Sequence, residues 1–117
     1  MSNIFDSFKN SVDRFEEILG KEKTVANRDS AIKRFELTFE LVWKSMQKRL
    51  REQGIVCRSP RSCFKEFFSV GFMEDDERWL DMIETRNSTI HTYSERLADE
   101  VYRKLPEYLE LFKKVRL

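Results

Sequence analysis

Arg34-Phe35-Glu36-Leu37-Thr38-Phe39-Glu40-Leu41-Val42-Trp43-Lys44 is the stretch on which the fold turns. Extended in both directions, it places Ala31, Phe35, Phe39, Val42, Met46 and Leu50 at helical spacing on one face. Ile32, Leu37, Leu41 and Trp43 widen that apolar surface beyond a single stripe. A helix that is apolar on more than one side needs more than one neighbour to cover it. The stretch therefore predicts a long central helix over residues 28–53, stopped by Gly54, inside a bundle or against a partner subunit.

The rest of the chain supplies the neighbours. Residues 4–19 form a first amphipathic helix, capped by Ser2 or Asn3 and stopped by Gly20, with Phe5, Phe8, Val12, Phe15 and Leu19 inward. Residues 21–27 read as a polar loop. Ser59-Pro60 is an N-cap followed by proline at the first helical position, opening a short third helix through Phe64, Phe67 and Phe68 that ends at Gly71. A fourth helix begins with Asp75 as its cap. A fifth runs from Thr92 or Ser94 toward Val115, with Leu97, Val101, Leu105, Tyr108, Leu109 and Phe112 inward, and Pro106 is expected to interrupt and bend it. The expected architecture is all-α, an antiparallel four-helix bundle with one short extra helix. Helices two, four and five are expected to be the longest.

Composition sets the outer bounds. One domain over residues 1–117 is expected, since 117 residues leave no room for a second core. Only 3 Gly and 2 Pro argue against an all-β chain, and 10 Phe provide large core side chains. No apolar run approaches the ~18–20 residues of a membrane span, and no signal-peptide core follows Met1, so no membrane association is expected. Cys57 and Cys63 match no metal or redox spacing; read as two free thiols, they point to a reducing cytoplasm. The net charge of +1 does not announce a nucleic-acid binder. Bases nevertheless dominate from Lys44 to Lys65 and acids from Glu74 to Glu84, runs that are most simply solvated faces suited to the helix dipoles.

The chemistry concentrates in Arg86-Asn87-Ser88-Thr89-Ile90-His91-Thr92-Tyr93, which holds the only histidine. Trp79, Ile83, Arg86 and Ile90 fall on one stripe, so Arg86 should face the core, and a guanidinium there needs an anion to meet it. Leu80, Glu84, Asn87 and His91 make the adjacent row. Thr92 to Glu95 reads as a capping box, which places His91 and Tyr93 on either side of a helix junction where free N–H groups favour an anion. Arginine, imidazole and phenol together suit phosphate handling. The alternative is structural: His91 capping its own helix, Arg86 paired with Glu77 or Asp81 along the helix, and Tyr93 an aromatic anchor. No P-loop, dinucleotide fingerprint or nucleotidyltransferase motif is present.

Arg86-x4-His91-x-Tyr93, with Asn87 following the arginine, resembles the signature of HEPN-domain proteins, and most closely the branch paired with minimal nucleotidyltransferases. The Arg34 to Lys44 block resembles the long second helix of that branch, so the resemblance covers nearly the whole chain. It implies a homodimer in which two motifs meet and RNA is cleaved without metal or other cofactor. Arg86 and His91 would be catalytic, with Asn87 in support. It implies a cognate minimal nucleotidyltransferase as partner, which silences the toxin of a two-gene toxin–antitoxin module by adding AMP to Tyr93. The other reading is a non-catalytic subunit that presents substrate to that enzyme, with Arg86 and His91 gripping a nucleotide phosphate. Arg86 and His91 lie five residues apart, about 140° around an ideal helix. They converge only through long side chains, a helix end, or the partner's copy.

Overall fold

A computed structural model describes residues 3–91 and 93–117. Five helices follow one another: α1 (Ile4–Leu19), α2 (Val25–Glu52), α3 (Pro60–Ser69), α4 (Arg78–His91) and α5 (Glu95–Lys114). The first, second, fourth and fifth form the bundle, and α3 is the short addition. α2 is the longest at 28 residues, as its apolar run predicts. α4, at 14 residues, is shorter than the 16-residue α1, contrary to expectation.

The central face of α2 is buried along its whole length: Ala31, Phe35, Phe39, Val42, Met46 and Leu50 are all inaccessible. Phe35 is the hub. Its ring lies 6.3 Å from Phe15 of α1, 5.3 Å from Tyr108 and 6.4 Å from Phe112 of α5. One turn along, Phe39 meets Phe64 of α3 edge-on at 6.0 Å, and Phe64 meets Trp79 of α4 at 4.9 Å. Two successive phenylalanines on one helix thus join it to all four others. The wider apolar surface is only partly covered, because Leu37 remains 43% exposed.

Helix ends follow local chemistry. Asn3 caps α1 by accepting from the Asp6 amide at 3.0 Å. Thr24 caps α2 in the same way, accepting from Asn27 N, so α2 begins at Val25, a turn earlier than expected. Ser59 and Pro60 open α3 as read from sequence, with Ser62 completing a capping box. α4 begins at Arg78, so the amide there is met by Asp76 at 3.0 Å, and Asp75 falls too far back to cap it. The expected box from Thr92 involves a residue outside those described; the described cap of α5 is Ser94, which accepts from Leu97 N at 3.1 Å. α2 and α3 end alike. Gly54 and Gly71 adopt φ of 78° and 83°, while the next amides, of Ile55 and Phe72, donate back to Leu50 O and Phe67 O. α5 runs through Pro106 without ending. The Tyr102 carbonyl loses its amide donor there, yet the buried stripe continues on both sides with Val101, Leu105, Tyr108 and Phe112.

Cys57 and Cys63 are joined in a disulfide, which replaces the expectation of two free thiols. Cys57 lies in the loop before α3 and Cys63 in the first turn of the helix, and the bend at Ser59 where the loop enters α3 brings them together. The loop is further held by Gln47 of α2, whose side-chain amide donates to Cys57 O at 2.7 Å. The thiol argument for a reducing compartment therefore falls away. Among the described residues, no helix is long and apolar enough to cross a membrane.

Candidate functional site

One face of α2 carries the site. At 100° per residue, Asp29, Glu36 and Glu40 share a line along the helix, and the segment from Arg86 to Tyr93 lies against them. Arg86 Nη1 pairs with Glu40 Oε1 at 3.4 Å. Thr89 Oγ1 donates to Glu36 Oε2 at 3.2 Å. Tyr93 donates its hydroxyl proton to the Asp29 carboxylate at 3.2 Å. Three carboxylates of one helix thus meet three successive turns of chain from the motif.

Arg86 faces inward as its stripe predicts, with 18% of its side chain exposed. Its guanidinium carbon sits 4.6 Å from the centre of the Phe39 ring, a cation–π contact that offsets part of the lost hydration. The anion is Glu40, on another helix, rather than Glu77 or Asp81 on its own. The pairing is incomplete: Nε is buried with no hydrogen-bond partner among the described residues. A buried donor left unmet typically costs about 1–3 kcal/mol, so Arg86 is held at a cost that Glu40 and Phe39 only partly offset.

Other residues of the motif point outward. Asn87 and His91 are exposed, as are Leu80 and Glu84 of the same row. Ile90, expected on the buried stripe, is instead 54% exposed. The buried face of α4 is shifted, with Met82 and Thr85 inside, and Thr85 hydrogen-bonded to Tyr108 at 2.8 Å. Beyond Thr85 the burial weakens: Arg86, Ser88 and Thr89 are half-buried, and Ile90, about 40° around the helix from Arg86, is left at the edge of the packed face. His91 occupies the last turn of α4. Within one chain, Arg86 and His91 lie on different sides of the helix and are not brought together.

Tyr93 is 65% exposed, and its hydroxyl is held at the rim by two residues of α2. Besides donating to Asp29, it accepts from Arg28 Nη2 at 3.3 Å. Partial desolvation, and then the hydrogen bond to Asp29, raise its pKa above the ordinary phenol value. Beside the ring lies a small hollow of about 150 Å³, floored by Ile32, Leu97, Ala98 and Val101 and edged by Lys33 and Glu36.

Arg28 is the residue that sequence reasoning passed over. It is only 3% exposed, and it binds Glu95 at 2.8 Å, Asp29 at 3.0 Å and Asp99 at 3.2 Å. The bond to Glu95, followed by those to the other carboxylates, raises its pKa further, and Asp99 is held below the usual carboxylate range by Arg28 and then Lys23. The signal, a weak one, was the pair Glu95 and Asp99, acids one turn apart at the start of α5. Glu36 and Glu40 carried a similar signal, as acids one turn apart within an apolar segment.

These features define a class of all-α bundle that carries a half-paired arginine, an exposed histidine at a helix end and a tyrosine just before the next helix. The chain belongs to the family described as "Nucleotidyltransferase substrate binding protein like", which matches residues 3–117. It is similar to a protein of Haemophilus influenzae named "Probable ribonuclease HepT", 29% identical over 84 residues. That match covers 68% of this chain and 58% of the relative, so the chain spans little more than half the relative's length. A crystal structure of a protein from Thermus thermophilus shares 36% identity and superposes with a TM-score of 0.83, covering 91% of this chain and 92% of the other.

Proposed function

We propose that the chain is a HEPN-type ribonuclease toxin of a two-gene toxin–antitoxin module. In this reading it cleaves RNA as a homodimer and is silenced when a partner minimal nucleotidyltransferase adds AMP to Tyr93. The observation that carries it is the state of Arg86: set over Phe39, held by one carboxylate, and keeping a buried donor unpaired among the described residues. A purely structural arginine would be fully paired. One with a free valence is suited to bind a phosphate and to stabilise added charge on it.

In the reaction, the ribose 2′-OH attacks the adjacent phosphorus. His91 takes the hydroxyl proton, and the P–O5′ bond breaks to leave a 2′,3′-cyclic phosphate and a 5′-OH. The leaving oxygen needs a proton, which a second imidazole supplies. Each chain has one histidine, and the separation of about 140° between Arg86 and His91 is bridged when a second copy packs on the exposed row of Leu80, Asn87, Ile90 and His91. Silencing has its own balance. The Tyr93 oxygen attacks the α-phosphorus of ATP, pyrophosphate leaves, and Asp29 lies within reach of the phenolic proton.

The family description favours a second reading, a binding subunit that presents substrate to the nucleotidyltransferase and breaks no bonds itself. One experiment separates the two. Wild type and His91→Ala are expressed without the partner, and growth and RNA integrity are scored. The ribonuclease reading expects toxicity and RNA loss with wild type only. In vitro, cleavage should withstand EDTA and fail on RNA with a 2′-deoxy substitution at the cut. Purified wild type that cleaves nothing but binds nucleotide or partner would establish the binding subunit. Light scattering at tens of micromolar should show a dimer.

A further inference from the structure

The face of α2 that clamps the motif does not end at Glu40. Glu36, Glu40, Lys44, Gln47 and Arg51 all fall within about 80° around the helix axis, with Lys48 just beyond. The face changes character halfway. Its first part is acidic and engaged with Thr89, Arg86 and Tyr93; its second part is basic and open. Lys44, Lys48 and Arg51 are exposed and line one open hollow of about 500 Å³. Glu52 shares that hollow, but it is paired with Arg49 at 3.6 Å. The two parts are hinged on one residue. Glu40 holds Arg86 through Oε1 at 3.4 Å, and its Oε2 lies 3.5 Å from Lys44 Nζ.

We infer that Lys44, Lys48 and Arg51 form a phosphate track that guides single-stranded RNA along α2 to Arg86. The inference rests on the ribonuclease reading for its direction. From Glu40 to Arg51 the helix rises about 16 Å, enough for several phosphates beyond the one cleaved. Aromatic rings flank the track: Lys44 Nζ lies 5.9 Å from the Trp43 ring and Lys48 Nζ 5.1 Å from the half-buried Phe5 ring. Cations interleaved with aromatic faces suit single strands. A protein partner fits less well, because interface cores need large apolar anchors, and none of the exposed large hydrophobic side chains lies among these α2 residues. The bases of α3 are a separate matter. Arg61 and Lys65 share their hollow with Glu74 and Asp75, which would repel a phosphate chain, and with Asp76, which is paired with Arg78.

The test uses a fluorescent RNA oligonucleotide, 2′-O-methylated throughout so that it binds without being cut. Lys48→Glu/Arg51→Glu is compared with Lys9→Glu/Lys21→Glu, an equal charge change at exposed bases elsewhere. Circular dichroism checks that both fold. Loss of two phosphate contacts should lower the slope of log affinity against log salt by about 1.4, with affinity falling tenfold or more. On cleavable RNA the same variant should raise KM and leave kcat near wild type, since Arg86 and His91 are untouched. Equal weakening by the control pair, or an unchanged salt slope, overturns the track. So does a variant that still binds RNA but no longer binds the nucleotidyltransferase, which would make the face a protein-docking surface. Wild type that binds RNA through Lys48 and Arg51 and cleaves none upholds the track while the ribonuclease reading fails; cleavage with no dependence on these bases gives the reverse.

Discussion

Arg28, on α2 itself, and Arg86, packed against α2, are both drawn into the bundle, and their surroundings differ in one respect that matters. Arg28 is 3% exposed and meets three carboxylates and a phenol oxygen. Arg86 is 18% exposed and meets one carboxylate, one aromatic face and, at Nε, nothing among the described residues. A cation that is removed from water is stabilised to the extent that its donors are matched. Arg28 is matched to saturation, so its work is to tie α2 to the start of α5. Arg86 is held in place with one donor unpaired among the described residues, which is what the proposed role in binding a phosphate draws on. Burial alone would have ranked the two in the opposite order of functional interest.

The largest effects should come from breaking the motif. Losing an acid–base group typically costs about 10²–10⁴ in rate, and losing a charge-stabilising donor about 10²–10³. His91→Ala and Arg86→Ala should each take RNA cleavage below detection in a gel assay. The exposed His91 should leave the thermal transition unmoved. Arg86→Lys should recover little activity, because a point charge replaces neither the stacking on Phe39 nor the forked donors. If Arg28→Met instead removes cleavage as completely as Arg86→Ala in folded protein, the contrast between the two arginines is wrong.

Much of this was legible in the residues. The all-α bundle followed from the periodicity of α2, and the inward face of Arg86 from its spacing with Trp79 and Ile83. What could not be read were contacts that depend on which helices become neighbours. Glu40 and Arg86 are 46 residues apart, and Arg28 and Asp99 are 71 apart, so no local pattern joins them. The disulfide escaped for a related reason, since a spacing of six residues is bridged only once the loop bends at Ser59 into α3. Ile90 was misplaced because a stripe drawn from Trp79 was carried past the point where the burial of α4 weakens.

A middle-sized effect should come from Glu40→Gln. The amide keeps the shape and removes the charge that holds Arg86 and balances Lys44. Small displacements of a positioned group can cost up to about 10²-fold, and with Phe39 still beneath the guanidinium a loss of about tenfold in kcat is expected. Stopped reactions at saturating RNA would measure it. A wild-type kcat would mean that Phe39 alone positions Arg86.

Arg28→Met tests the other side of the comparison, where the expected effect is on folding. Without the guanidinium, Asp29, Glu95 and Asp99 face one another across the junction of α2 and α5. A fall in Tm of about 5–10 °C is expected by scanning calorimetry, with cleavage at saturating RNA near wild type. An unchanged Tm would mean that solvent screens the carboxylates well enough for Arg28 to be dispensable.

The smallest effect is the pH dependence of that same difference. Arg28 and Lys23 hold the Asp99 carboxyl below its ordinary value, and Arg78 does the same for Asp76. The unfolded chain takes up these protons near the ordinary aspartate pKa of about 3.9, while the folded chain resists until a lower pH. Stability from each pair is therefore complete above about pH 4 and is lost as pH falls through the depressed folded values. The Tm gap between wild type and Arg28→Met should be constant from neutral pH down to about pH 5, then narrow as Asp99 is protonated. Arg78→Met should leave the Asp99 contribution in place, because the two pairs sit at opposite ends of α4 and α5. A Tm gap that persists unchanged well below about pH 3 would show that Arg28 acts through packing rather than through its carboxylates.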